Sequence, residues 1–169
     1  ILSLFSIGLA NAQNALSDKD LELLDKEIEQ KAIYDKAKIA RIDSLKNNAL
    51  TSTTDDHKRF EAYFDLGKEY ETFISDSALF YFDKALSISN TLKDSTLIIC
   101  ANLGRIKTLA ILGYFMEGIT ALNKVESSTI PESLKGEWLD TSRQLYAYIT
   151  TYAYGNKELY DKYNKLLNY

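Results

Sequence analysis

Asp55, Asp56 and His57 form the one place in this chain where carboxylates stand beside its single histidine, and these are residue types that bind divalent metals or move protons. Three consecutive helical residues point in three directions, however, and an Asp ahead of a helical run is a standard helix N-cap. The trio therefore reads as a capped helix start, and no metal site is assigned. Cys100 is the only cysteine and lies in an apolar stretch, which makes it a core residue rather than a reactive thiol. The close pair Asp18 and Asp20 belongs to a run dense in both signs of charge and reads as a solvated helix face. No G-x-G-x-x-G, Walker loop, H-E-x-x-H or C-x-x-C occurs. No catalytic residue and no cofactor is assigned, so a non-enzymatic protein is expected.

The elements that would carry a binding function are helical. The chain has 169 residues, 46% hydrophobic and 26% charged, which fits one globular domain or a short repeat array. A net charge of −4 and a pI near 5.1 lack the basic footprint that a phosphate backbone needs, so direct nucleic-acid contact is excluded for this segment. Residues 1–12, ILSLFSIGLANA, are uncharged and end with Ala10 and Ala12 in the arrangement that a signal peptidase reads. They are expected to be the remnant of a secretory signal cleaved before Gln13, the alternative being a short buried helix. A periplasmic or cell-envelope location follows. With no cysteine near the cleavage point, any membrane anchor is expected downstream of Tyr169.

Ser17 with Asp18 and Asp20 marks a helix start. From Asp18 to Lys46 there are eight acids and seven bases, the acids crowding the first half and the bases the second, which complements the helix dipole. Leu21, Leu24, Ile28, Ala32, Ile39 and Ile42 share one stripe, interrupted by Asp35. A long charged amphipathic helix over 13–50 is predicted, either as a cap on the rest of the domain or as a self-pairing or partner-binding helix. Asn47 to Asp56 then breaks the pattern.

The remainder, 56–169, repeats itself. A shift of 40 lays Ser77–Ala85 on Glu117–Val125, and a further 41 lays that on Glu158–Leu166, so that Phe82, Leu122 and Tyr163 coincide. An amphipathic segment precedes each copy, containing Tyr63, Leu66 and Tyr70 in the first, Ile99, Leu103 and Ile106 in the second, and Leu134, Trp138 and Leu145 in the third. Gly113 and Gly155 fall in turns, and Pro131, the only proline, can open a helix. The prediction is all-α: a long N-terminal helix and about three hairpins, near 56–90, 95–126 and 131–169, in a short right-handed solenoid without a sheet.

The first hairpin resembles a tetratricopeptide repeat (TPR) through Tyr63, Leu66, Gly67 and Tyr70, followed by Ala78, Phe82 and Ala85. Gly67 and Ala78 would permit close approach of the two helices, and the aromatics would fill the wedge between hairpins. In the second hairpin Gly113 and Leu122 fit the pattern, whereas Asn102, Leu103 and Gly104 look like the opening motif but lie too early relative to the turn. HEAT-like arrays are the alternative architecture. By the TPR pattern Phe64 and Lys68, with Leu103 and Lys107 as their counterparts, face a concave groove that would hold a protein or an extended peptide through its carboxylate. Replacing both lysines with Glu is expected to leave the fold intact and to abolish capture of the ligand.

A second resemblance rests on Leu24, Asp25, Ile28, Tyr34 and Arg41 to Lys46, together with Asp76 to Ala85. These residues are similar to the N-terminal region of a bacterial family of membrane-tethered regulators, in which a periplasmic TPR-like array precedes a membrane helix, a coiled coil and a cytoplasmic helix-turn-helix. The resemblance implies a sensing or scaffolding role, with a free periplasmic adaptor and a structural oligomeriser as alternatives. Seven of the twelve tyrosines fall between Tyr146 and Tyr169, on two faces of the last hairpin. They imply an array that continues beyond this segment and self-association through that hairpin, the charged N-terminal helix being the other candidate for self-association.

Overall fold

The computed structural model describes residues 18–51, 54–125 and 130–167. All regular structure among them is helical: α1 Asp18–Thr51, α2 Asp56–Glu71, α3 Ser75–Leu92, α4 Ser95–Leu112, α5 Phe115–Lys124, α6 Glu132–Tyr152 and α7 Lys157–Leu167. The segment 1–12 and the cleavage point before Gln13 lie outside the described residues.

The chain divides into two compact units, Ile1–Ile39 and Ala40–Tyr169. In the first, the described residues are the leading part of α1. Leu21, Leu24, Ile28 and Ile39 are 45%, 50%, 58% and 47% exposed there. The local bonds lie along the helix: Lys31 Nζ pairs with Asp35 at 3.0 Å, and the Tyr34 hydroxyl donates to Gln30 Oε1 at 3.1 Å.

The second unit is built from three hairpins, α2–α3, α4–α5 and α6–α7, in which α3 also packs on α4, and α6 on both α4 and α5. Capping residues set the boundaries. The Asp55 carboxylate accepts from the amides of His57 and Lys58 at 3.0 and 3.3 Å, and Asp94 accepts from Thr96 and Leu97 at 2.9 and 3.1 Å. Gly113 ends α4 at φ 80, where its amide reaches the carbonyls of Ala110 and Leu109. Lys93 takes the same left-handed cap at the end of α3 with φ 55, a position with no glycine to announce it. Pro131 stands at the N-cap of α6.

The core follows the helical stripes. Ala62, Leu66, Tyr70, Ala78 and Phe82 form its first part, which Ile42 from the end of α1 completes. Arg41 Nε pairs with Glu69 Oε1 at 2.6 Å, and the Lys46 ammonium lies over the Tyr70 ring. Ile106, Ala110, Leu122, Leu145 and Ile149 form the next part. Five buried hydroxyls, those of Ser89, Thr108, Thr141, Ser142 and Thr150, each donate to a carbonyl three or four residues back on their own helix. Small polar side chains thus enter the core already satisfied, as buried polar groups must.

Phe82 of α3 sits between α2 and α4. A Cβ placed on Gly67 would lie 2.7 Å from its ring, and one on Gly104 would meet the same ring from the other helix. Gly104 is therefore the structural counterpart of Gly67. Its motif, which looked displaced when measured from the turn, is in register when measured from the packing. α4 continues to Leu112, about one turn further beyond Gly104 than α2 continues beyond Gly67.

Candidate partner-binding groove

The residues expected to line the concave face are placed differently from one another. Phe64 is half-buried, stacked on Phe60 at 5.6 Å and edge-on to Phe82 at 5.6 Å. Lys68 lies over the Phe64 ring at 4.9 Å and pairs with Asp65 at 2.6 Å. Leu103 is fully buried among Ile99, Val125 and Ile130, so its assignment to a ligand surface is corrected: the register set by Gly104 turns it inward, as the same register turns Leu66 inward. Lys107 pairs with Glu137 Oε1 at 3.3 Å. Burial pushes the Glu71 carboxyl above its ordinary pKa against the attraction of Lys107, and the nearby Glu137 pushes the same way. The two lysines are therefore not a pair of free cations awaiting a carboxylate. Lys107 is tied to a carboxylate thirty residues away, which no local spacing reveals.

Around these residues the packing set is assembled. Leu66, Ala78, Phe82 and Ala85 are fully buried, Tyr70 and Leu122 nearly so. Tyr63 stacks on Tyr81 at 6.2 Å, and Trp138 packs where the cores of α4 and α6 meet. Gly113 is exposed in its turn with nothing within 4 Å of a Cβ, so the left-handed backbone and not close packing requires it.

The open volume lies on the other side of α4. α3 and α5 each pack on α4 rather than on one another, leaving a groove of about 1020 Å³ floored by α4. Three stripes at helical spacing line it. From α3 come Asp83, Leu86 and Asn90; from α4 Ser95, Ile98, Asn102 and Arg105; from α5 Met116, Thr120 and Lys124. Arg105 Nε binds Asp83 Oδ1 at 2.6 Å, bracing the α3 wall to the floor. The Asn102 amide donates to the Ile98 carbonyl at 2.9 Å, which holds the side chain in one orientation. Met116 is 70% exposed at the mouth. Apolar side chains such as Leu86, Ile98 and Met116 set among carboxamide, hydroxyl and charged groups suit a polypeptide segment, whose side chains can enter while its backbone finds donors and acceptors.

The groove was legible only in part. Arg105 is the counterpart of Lys68 once Gly104 is matched to Gly67, and the i, i+3, i+7 series of α3 is visible in the sequence. The separation of α3 from α5 is a tertiary property with no local signal.

Residues 28–169, from within α1 to the end of the chain, match the family described as the SusR N-terminal TPR domain. The chain belongs to that family. No curated protein and no solved structure gives a match. Membership decides between the two repeat architectures in favour of TPR, whose domains generally bind proteins and generally carry no catalysis. The matched residues take in the hairpins α2–α3, α4–α5 and α6–α7, with the end of α1 packed on the first.

Proposed function

We propose that this TPR domain is a non-catalytic receptor for a segment of a partner protein, and that the segment lies in the groove between α3 and α5. The observation that carries this reading is the groove itself. Three helices contribute one stripe each, and the Asp83 to Arg105 pair ties its α3 wall to α4. A site braced in this way loses little conformational entropy on binding. The exposed Met116 gives it an adaptable apolar contact at the mouth.

The wider role we assign is the periplasmic sensing or scaffolding region of a membrane-tethered transcriptional regulator. The signal-like residues 1–12 and the resemblance of the charged helix and first hairpin to such regulators support it. The family description, which calls the domain N-terminal, is consistent with effector parts placed after it.

Two arms of one experiment test the proposal. A photo-crosslinking residue placed at Met116 of the full-length gene product should trap a discrete partner in cells, while the same residue at the exposed Lys58 of α2 should not. Fractionation of the same cells should find the protein in the membrane. A soluble periplasmic product would leave an adaptor instead of a regulator, and equal trapping at both positions would remove the groove.

A further inference from the structure

The leading part of α1 carries an exposed apolar stripe. Leu21, Leu24, Ile28 and Ile39 stand on one stripe, roughly half exposed, with Ala32 between them. Two pairs of the stripe are symmetric about Gln30, Leu21 with Ile39 nine residues to either side and Ile28 with Ala32 two, while Leu24 has Lys36 at its mirror position. The net charge is opposite on the two sides of the same point: residues 18–29 hold six acids and two bases, whereas 31–39 hold three bases and one acid.

The flanks of the stripe sharpen this. At 100° per residue Glu27 falls on the same flank as Lys31, and Asp25 on the same flank as Lys36. Flanking residues of paired helices choose partner and direction. In a parallel pair in register, each acidic half meets an acidic half. In an antiparallel pair crossing near Gln30, Leu21 meets Ile39 of the other copy and Ile28 meets Ala32. Glu27 then meets Lys31, and Asp25 meets Lys36. Asp35, the one charge on the stripe, brings its own counter-ion in Lys31 at 3.0 Å.

The geometry points to antiparallel self-pairing of residues 18–39 between two copies of this chain, making α1 a dimerisation arm. The pairing does not depend on the groove. It joins two TPR units through a polar-flanked helix pair, whose strength falls with salt because its specificity is carried by exposed charges.

Sedimentation equilibrium of the full chain tests it. A monomer–dimer equilibrium is expected that shifts to monomer in Ile28→Glu and weakens at least tenfold in Lys31→Glu. The charge swap Glu27→Lys with Lys31→Glu should restore most of the association. Circular dichroism melts of each variant report that the hairpins remain folded. Direction is read in a Cys100→Ser background by mixing a Leu21→Cys variant with an Ile39→Cys variant: mixed disulfides are expected in excess over either homodisulfide. A monomer at all concentrations, a dimer indifferent to Ile28→Glu as contact through α6–α7 would give, or a preference for homodisulfides would each overturn the inference.

Discussion

Gly104 and Phe82 touch so closely that a single added methyl group on the glycine would enter the contact distance of the ring. Because α4 bears the glycine and α3 the ring, this contact sets how near the second hairpin comes to the first. It also fixes the register that turns Leu103 inward and Arg105 toward the groove.

Gly104→Ala is expected to destabilise the fold by about 1–3 kcal/mol, since overpacking a filled core forces side chains off their rotamers. Gly136, on α6, has nothing within 4 Å of a Cβ. Gly136→Ala should stabilise by roughly 0.5–1 kcal/mol through helix propensity alone. Urea unfolding of the two variants separates the explanations: equal effects would mean that close approach at Phe82 is not limiting.

Lys93 offers a second stability test. Its left-handed cap costs a side-chain-bearing residue about 1 kcal/mol that glycine does not incur. Lys93→Gly should raise the midpoint of unfolding, whereas Gly113→Ala, at φ 80, should lower it by a comparable amount.

The Glu71, Lys107 and Glu137 cluster predicts a pH dependence. The folded pKa of Glu71 is raised by burial first, so its carboxylate opposes folding at neutral pH and ceases to do so as pH falls through that raised value. Glu71→Gln is therefore expected to stabilise at pH 7 by a few tenths of a kcal/mol after solvent screening, and the gain should vanish once the solution is acid enough to protonate the carboxyl in both states. Lys107→Glu puts a third carboxylate among these groups and should destabilise by about 1 kcal/mol. That differs from the unchanged fold expected for a lysine on an open concave surface, and thermal melts across pH 4 to pH 8, roughly the window in which a raised carboxyl titrates, would reveal it.

Cys100 gives a chemical check. Burial, then the nearby Glu137, pushes its thiol above the ordinary value. The native thiol should react with a maleimide at neutral pH much more slowly than the unfolded chain does, because the thiolate is the attacking form. Native and unfolded rates within a factor of about two would contradict the packing of α4.

The hairpins were legible because repeated apolar spacing survives in each copy: Phe82 and Leu122, forty residues apart, are both buried. Capping was legible for Asp55, whose type declares it, and not for Lys93, whose type does not. The candidate site was harder to read. Positions counted from the turn made Leu103 a surface residue, because the extra turn at the end of α4 is invisible until the packing of Gly104 is known. Charge pairing across helices, such as Lys107 with Glu137 and Arg105 with Asp83, is set by stacking and leaves no mark in local spacing.

The most direct test of the central claim is a peptide titration. Peptides selected by display on the wild-type domain would be titrated against Thr120→Trp, which fills the groove from α5, and against Lys58→Glu, which lies away from it. The account predicts at least a tenfold loss of affinity in Thr120→Trp and none in Lys58→Glu. Equal affinity for all three proteins would show that the space between α3 and α5 is not where this TPR domain holds its partner.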